Sequence, residues 1–265
     1  MENVIQISSW EDERIAGYRN LKDSQLREQQ GRFIIEGKLV VKRFVIESVM
    51  SCESVLVLEK HVETAQKYKI DSGKSFDIFQ ASQEVMDAVV GFNFHRGFLA
   101  LGQRPEELDL TKIVSSSSLL VLLERVLNPE NIGSVFRNAA ALGADAVILS
   151  ADCADPLYRL ATRVSIGTTT TLPWIRVSDF ASTLTTLRSF GVRLFAMSPS
   201  IDSQLLSDSD TTLRPAAIVL GSEGDGLTSA SINACHAKLR IDMANDVDSL
   251  NVATAAAIGL FQFRR

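Results

Sequence analysis

Three turns rich in asparagine and glycine, each just after a short strand-like run, constrain this chain more than any other feature. The runs are Leu119–Glu124, Ala216–Leu220 and Ala237–Ile241; the turns are Asn128–Arg137, Gly221–Leu227 and Ile241–Asn251. Short apolar runs such as Leu119–Leu123 and Ala216–Leu220 suit strands buried on both faces of a parallel sheet. Further strand candidates lie at Ala146–Leu149, Leu172–Ile175 and Arg193–Met197. Helix candidates at Ile132–Leu142, Leu157–Ser165, Phe180–Phe190 and Ser229–Cys235 alternate with them. The alternation implies an α/β domain with a mainly parallel sheet and helices on both faces. Ligands of such open sheets bind beyond the carboxyl ends of the strands, so all three turns are expected at one pocket. Their polar side chains are Asn131, Arg137, Glu223, Ser249 and Asn251.

The last turn runs into an apolar segment from Leu250 to Phe263 in which Ala253, Ala256, Ala257 and Gly259 recur. That composition predicts a helix packed closely on another backbone, without a wide polar face. A helix start offers unpaired N–H groups and partial positive charge. Ser249 or Asn251 as a plain helix cap is the structural alternative to a chemical role. Gly133 is read as permitting the tight turn that follows the first strand.

Residues 1–105 read as a smaller α/β layer. A helix starting near Arg14 is stopped at Gly31, and a strand follows at Phe33–Ile35. Helices are expected at Lys38–Glu47, Val62–Tyr68 and Ser82–Val89, and strands at Ser54–Leu58, Phe76–Phe79 and Gly97–Leu101. Arg14, Arg19, Lys22, Arg27 and Arg32, then Lys38, Lys42 and Arg43, face only Asp23, Glu28 and Glu36. Positive charge on a helix and its following loop suits phosphate contacts, and an ordinary solvated face accounts for it equally well. His95 has no paired ligand or nucleophile nearby and reads as a turn residue. The polar stretch Gly102–Ser118 contains Pro105 and the serine run Ser115–Ser118, which puts a linker at 106–118 and a second domain at 119–265.

Composition excludes several function classes. The net charge of −5 argues against a surface built wholly for nucleic acid and leaves room for a local basic face. Cys52, Cys153 and Cys235 are too few and too scattered for a zinc pattern or a disulfide framework. No metal is expected, and the setting is read as reducing and cytoplasmic. The longest bulky apolar run, Leu119–Leu123, is far too short to span a bilayer. The opening residues, M-E-N-V-I-Q-I-S-S-W-E-D-E, lack the basic-then-apolar order of a leader. No Gly-x-Gly-x-x-Gly opens a helix after the first strand, and no Gly-Lys-Ser/Thr phosphate loop or Gly-x-Ser-x-Gly elbow is present.

Taken together, the three turns resemble the motifs of the SpoU (TrmH) family, ribose 2′-O-methyltransferases of the SPOUT superfamily. The first motif, Asn-x-Gly-x-x-x-Arg-x-Ala, is met at Asn131, Gly133, Arg137 and Ala139. The second, Gly-x-Glu-x-x-Gly, is met at Gly221, Glu223 and Gly226, and the third, Ser-Leu-Asn-Val, at Ser249–Val252. The resemblance covers roughly residues 119 to 263. The N-terminal part is similar to the RNA-binding domain often joined to this family, through N-L-K at Asn20–Lys22, F-I-I-E-G at Phe33–Gly37 and H-R-G at His95–Gly97. The third motif departs from the family pattern: Asp242 replaces a proline, Asn245 a glycine and Ala253 a serine.

The resemblance implies a trefoil-knotted C-terminal domain, S-adenosylmethionine as methyl donor, and a homodimer packed through the knotted domains. Gly221, Ile241 and Leu250, with Met197 and Met243, would hold the donor. Arg137, Asn131, Glu223, Ser249 and Asn251 would carry catalysis, and Arg14, Arg19, Lys22, Arg27 and Arg32 would meet RNA. Ribosomal RNA is the preferred substrate. Transfer RNA, a non-catalytic RNA-binding dimer that keeps the knotted domain, and a small-molecule enzyme of doubly wound fold are the alternatives.

Overall fold

The computed structural model describes residues 4–19, 31–106, 108–244 and 247–264. In chain order the first stretch runs β1 (Val4–Ile7), β2 (Arg32–Glu36), α1 (Lys38–Glu47), β3 (Cys52–Leu58), α2 (Val62–Ser72), β4 (Asp77–Ala81), α3 (Gln83–Val90), β5 (Phe98–Gln103) and α4 (Leu110–Ser116). The second runs β6 (Leu119–Leu123), α5 (Pro129–Ala141), β7 (Ala146–Ser150), α6 (Arg159–Val164), β8 (Trp174–Val177), α7 (Phe180–Ser189), β9 (Arg193–Met197), β10 (Gln204–Leu205), β11 (Ala216–Leu220), α8 (Ser229–Ala234), β12 (Ala237–Arg240) and α9 (Val252–Phe263). These elements form two compact units, Met1–Glu106 with Leu157–Thr171, and Glu107–Pro156 with Leu172–Arg265.

The first unit holds a five-stranded mixed sheet in the order β1-β4-β3-β5-β2. β1, β4 and β3 run parallel, and β5 is antiparallel to both β3 and β2. Ser82 caps α3 as its sequence position predicts, accepting from Val85 N, and Gly91 ends the helix in the left-handed conformation. Buried Tyr18 meets Ser54 at 2.8 Å (Oη to Oγ), which satisfies its hydroxyl inside the core. The expected helix from Arg14 is resolved only as a 3-10 turn over Glu13–Tyr18, and its continuation through 20–30 lies outside the described residues.

Leu157–Thr171, read from sequence as part of the second domain, packs in the first unit. Arg43 Nη1 donates to the Ile166 carbonyl at 2.8 Å and Ser48 Oγ to the Thr170 carbonyl at 2.6 Å. Gly167, at φ +81°, has Arg43 and Val40 side-chain atoms 3.4 Å from where a Cβ would lie. The supposed linker 106–118 also differs from expectation. It contains α4, capped by Asp109, and Ile113 joins the core of the second unit.

The second unit is a seven-stranded parallel sheet in the order β10-β12-β9-β11-β6-β7-β8. Its central strands β6, β7 and β11 are buried along their whole length, as their apolar runs require. Alternate residues, including Leu120, Leu122, Ile148, Val219 and Leu194, pack with Leu184 and Leu187 of α7 on one face. On the other face Gly259 of α9 lies against Ile218 and Met197, with side-chain atoms 3.5 Å from a would-be Cβ. Asn138 of α5 donates to the carbonyl of Ala253 at 2.9 Å, joining α5 to α9. Gly133 does not form the turn after β6; it is buried inside α5, and the turn closes earlier, with Asn128 as cap and Pro129 at the first helical position.

Candidate active site

Parallel β6, β9, β11 and β12 bring the loops at their carboxyl ends to one edge of the sheet, and the three motif turns meet there. Asn131 Nδ2, in the first turn of α5, donates to Glu223 Oε1 at 2.9 Å. Asn251 Nδ2 donates to Glu223 Oε1 at 2.7 Å and to Asn131 Oδ1 at 2.9 Å. The three side chains form a closed triangle from three separate segments of the chain. Asn251 Oδ1 also caps α9, accepting from Ala253 N at 2.9 Å and Thr254 N at 3.4 Å. Of the two expected cap candidates, Asn251 is the one that caps.

The loop carrying Glu223 has little backbone latitude. A Cβ on Gly221 would lie 2.2 Å from the Gly226 carbonyl carbon and 2.3 Å from Leu227 N. Ser222 and Gly226 pair across the turn, with Gly224 and Gly226 at positive φ. Glu124, at the end of β6 and 5% exposed, fixes the far side of this loop. It accepts from Thr228 N at 2.9 Å, Thr228 Oγ1 at 2.8 Å and Ser231 Oγ at 2.9 Å. Sequence reading named the triangle and missed this brace. Its signal was a carboxylate ending a wholly apolar strand, which has to find donors when buried.

Two cavities flank the triangle. The larger, about 430 Å³, is lined by all five residues nominated for the donor: Met197, Gly221, Ile241, Met243 and Leu250. Glu223, Ser249 and Asn251 line it too. The smaller, about 280 Å³, is lined by Asn131 and Glu223 together with Arg125, Leu127 and Asp152. Glu223 therefore belongs to both walls. Asp242 lines neither cavity; it is exposed and pairs with Arg240 at 3.3 Å, so the proline-to-aspartate departure leaves Ile241 and Met243 at the wall. The second departure, Asn245, lies outside the described residues.

Arg137 is exposed on α5 and lines neither cavity. Among the described residues it forms no hydrogen bond or ion pair, so it is not held by Glu223. The N-terminal arginines contrast with it. Arg14 pairs with Asp12 at 2.6 Å, Arg19 with Glu13 at 3.3 Å and Arg32 with Glu53 at 2.8 Å. Lys22 and Arg27 lie outside the described residues.

Residues 118–261 match the model of the SpoU rRNA methylase family, which is more than half of the 265-residue chain. The chain belongs to this family. An uncharacterized tRNA/rRNA methyltransferase of Mycobacterium tuberculosis is 36% identical over 99% of this chain and 92% of its own length. The 23S rRNA (guanosine-2′-O-)-methyltransferase RlmB of Photobacterium profundum is 33% identical over 70% of this chain and 77% of its own. The fold is that of an AdoMet-bound rRNA methyltransferase from Sinorhizobium meliloti, with TM-score 0.83, 22% identity, and coverage of 98% of this chain and 97% of that one. A structure described as an RNA 2′-O ribose methyltransferase gives TM-score 0.79 at 27% identity, over 97% of both chains. As a SpoU family member the protein is a methyltransferase with S-adenosylmethionine as donor. The larger cavity fits that group. Its volume is that of a small-molecule site, Leu220, Leu239 and Ile241 offer apolar contact, and the Glu223 carboxylate suits a cationic ligand.

Proposed function

We propose that the enzyme methylates a ribose 2′-hydroxyl of RNA, with ribosomal RNA as the substrate class. The carrying observation is the Asn131–Glu223–Asn251 triangle at the wall of a donor-sized cavity. The donor, when bound, supplies an already activated methyl sulfonium. A ribose hydroxyl is a poor nucleophile, so the protein's part is alignment and help with loss of the proton. Gly221, Ile241, Leu250, Met197 and Met243 hold the donor, in part through backbone groups. Asn131, Glu223, Ser249 and Asn251 fix the ribose against it. Two amide donors occupy Glu223 Oε1, which holds the carboxylate in one orientation. Arg137 meets a phosphate or the developing alkoxide of the RNA, a role its fixed positive charge suits better than that of a base. Its exposure and lack of a partner among the described residues support an intermolecular contact.

The resemblance supports three further readings. The second unit is a trefoil knot, two copies of the chain pair through it, and the first unit is a separate RNA-binding module. The exposed Ile258 and Phe261 on α9 are compatible with such pairing. Among the described residues no helix is long and apolar enough to cross a membrane, and a cytoplasmic RNA substrate is part of this reading. The test is transfer of labelled methyl from S-adenosylmethionine to unmodified ribosomal RNA transcripts, followed by alkaline hydrolysis. Ribose 2′-O-methylation protects the adjoining phosphodiester and yields a labelled dinucleotide. Label recovered only in mononucleotides would mean base methylation and defeat the proposal.

A further inference from the structure

None of the residues proposed to hold the donor lines the smaller cavity, yet it shares Glu223 with the larger cavity and Asn131 with the triangle. A ribose at that shared wall, as proposed above, would place its base in the smaller cavity. The charges lining it are three carboxylates, Asp152, Glu223 and Asp225, against one guanidinium, Arg125. That excess repels phosphate and favours a neutral group rich in N–H donors.

The lining is organised. Ser150, buried at the end of β7, accepts from Arg125 N at 2.9 Å and donates to Asp152 Oδ1 at 2.5 Å, so one hydroxyl ties the guanidinium-bearing and carboxylate-bearing loops together. Arg125 has φ +56°, a left-handed conformation that a non-glycine residue adopts at a cost. Its guanidinium is only loosely engaged, 3.4 Å from the Gly226 carbonyl and 3.7 Å from Asp225, and its buried Nε has no hydrogen-bond partner. Leu127, 68% exposed, adds a large apolar side chain to the same wall, where the flat face of a base would cover it.

We infer that this cavity is the subsite for the base of the target nucleotide, that Asp152 and Arg125 read its edge, and that the base is guanine. A carboxylate only accepts and a guanidinium only donates. Guanine's Watson–Crick edge presents one carbonyl acceptor followed by two adjacent N–H donors, which matches that pair. Adenine and cytosine present one amino donor beside a ring-nitrogen acceptor, and uracil flanks its single N–H with two carbonyls. Enzymes that act on one nucleotide commonly read this edge once the base is extruded.

The inference rests on the 2′-O-methylation reading, and the experiment separates the two. Wild type and Asp152→Asn are given labelled S-adenosylmethionine and unmodified 23S and 16S rRNA transcripts, and the RNA is digested to nucleosides. Donor affinity and melting temperature are measured on the same proteins. The expected label is in 2′-O-methylguanosine, and Asp152→Asn is expected to lower kcat/KM for RNA by roughly tenfold or more, the discrimination of one good bidentate contact. Donor affinity and melting temperature should be unchanged. Label in another 2′-O-methylnucleoside, or an Asp152→Asn rate within about twofold of wild type, would overturn the base subsite and leave the methylation reading intact. A loss of rate matched by a fall in donor affinity or melting temperature would make Asp152 a structural residue, and overturn it as well. If wild type forms no 2′-O-methylnucleoside, the parent reading fails and takes the subsite with it.

Discussion

Asn251 and Glu223, 28 residues apart in sequence, meet at 2.7 Å, and the same Asn251 side chain caps the helix that follows it. One residue therefore couples the start of α9 to the proposed ribose site. Asn251→Ala should cost about 1 kcal/mol through the cap, roughly 2–4 °C in melting temperature, and should also abolish transfer. Asn251→Asp keeps a capping oxygen but replaces two N–H donors with a second carboxylate beside Glu223. It should melt close to wild type and still be inactive at neutral pH. Calorimetry with single-turnover transfer on the three proteins checks both, and an active Asn251→Asp would show that its N–H donors are dispensable.

Arg137→Ala should lose methyl transfer while keeping its melting temperature and donor affinity, because no described residue pairs with it. An interaction felt mainly in the transition state lowers turnover more than ground-state binding. Arg137→Lys retains the charge without the planar fork and should restore little. Near-normal turnover in Arg137→Ala would take the residue off the catalytic list.

Gly221 and Gly224 lie in one loop and should respond differently to the same change. Gly221→Ala drives a methyl into backbone 2.2 Å away, so the loop has to open and donor binding should disappear. Gly224, at φ +93°, has nothing within 4 Å of a would-be Cβ, so Gly224→Ala meets only backbone strain of about 1–2 kcal/mol. Titration of S-adenosylmethionine into each variant separates the two. Equal losses would mean that the close backbone approach at Gly221 does not set donor binding.

The three thiols should be inert in the native protein. Burial pushes Cys52 and Cys235 up to about 12, and raises Cys153 despite an opposing hydrogen bond between its thiol and the Ser150 hydroxyl. The reactive form is the thiolate, and a raised value keeps the thiol protonated at pH 8. Iodoacetamide should label all three in denaturant and label them very slowly without it. Fast native labelling of any one would show that its burial is lost in solution.

RNA affinity in the first unit should depend on Lys38 and Lys60 more than on Arg14, Arg19 or Arg32. The arginines are engaged in local pairs, whereas Lys38 and Lys60 are exposed and form no ion pair among the described residues. Both lysines are close enough to His61 to add to the effect of burial in lowering its pKa. The double change Lys38→Ala/Lys60→Ala should weaken RNA binding and reduce the salt slope by ~0.7–0.9 per lost phosphate contact. If Arg14→Ala/Arg19→Ala does so and the lysine pair does not, the sequence-nominated surface is the right one.

Much of the second unit was legible because buried parallel strands have a sharp signature. Leu119–Leu123, Arg193–Met197 and Ala216–Leu220 need no context to be recognised. β1 was missed because it is four residues long and only Ile7 is buried, which leaves no period to read. α4 was missed because a single buried residue, Ile113, sits in a serine-rich stretch. The allegiance of Leu157–Thr171 was illegible for a different reason. Periodicity reveals which face of a helix is apolar and not which sheet it will cover. At the site, motif spacing named every corner of the triangle, while Glu124, Arg125 and Asp152 lie at strand ends where charge has no period at all.

The return of the chain at Leu157–Thr171 has a consequence for the order of synthesis. Translation delivers residues 1–106 first, but the piece that completes their unit ends at Thr171, 65 residues later (171 − 106). Until then Val40, Arg43 and Ser48 await partners that have not yet been made. Domains commonly fold one after another as they leave the ribosome. Here the first unit cannot close before β6, α5 and β7 of the second have emerged, so the two halves of this enzyme are expected to mature together.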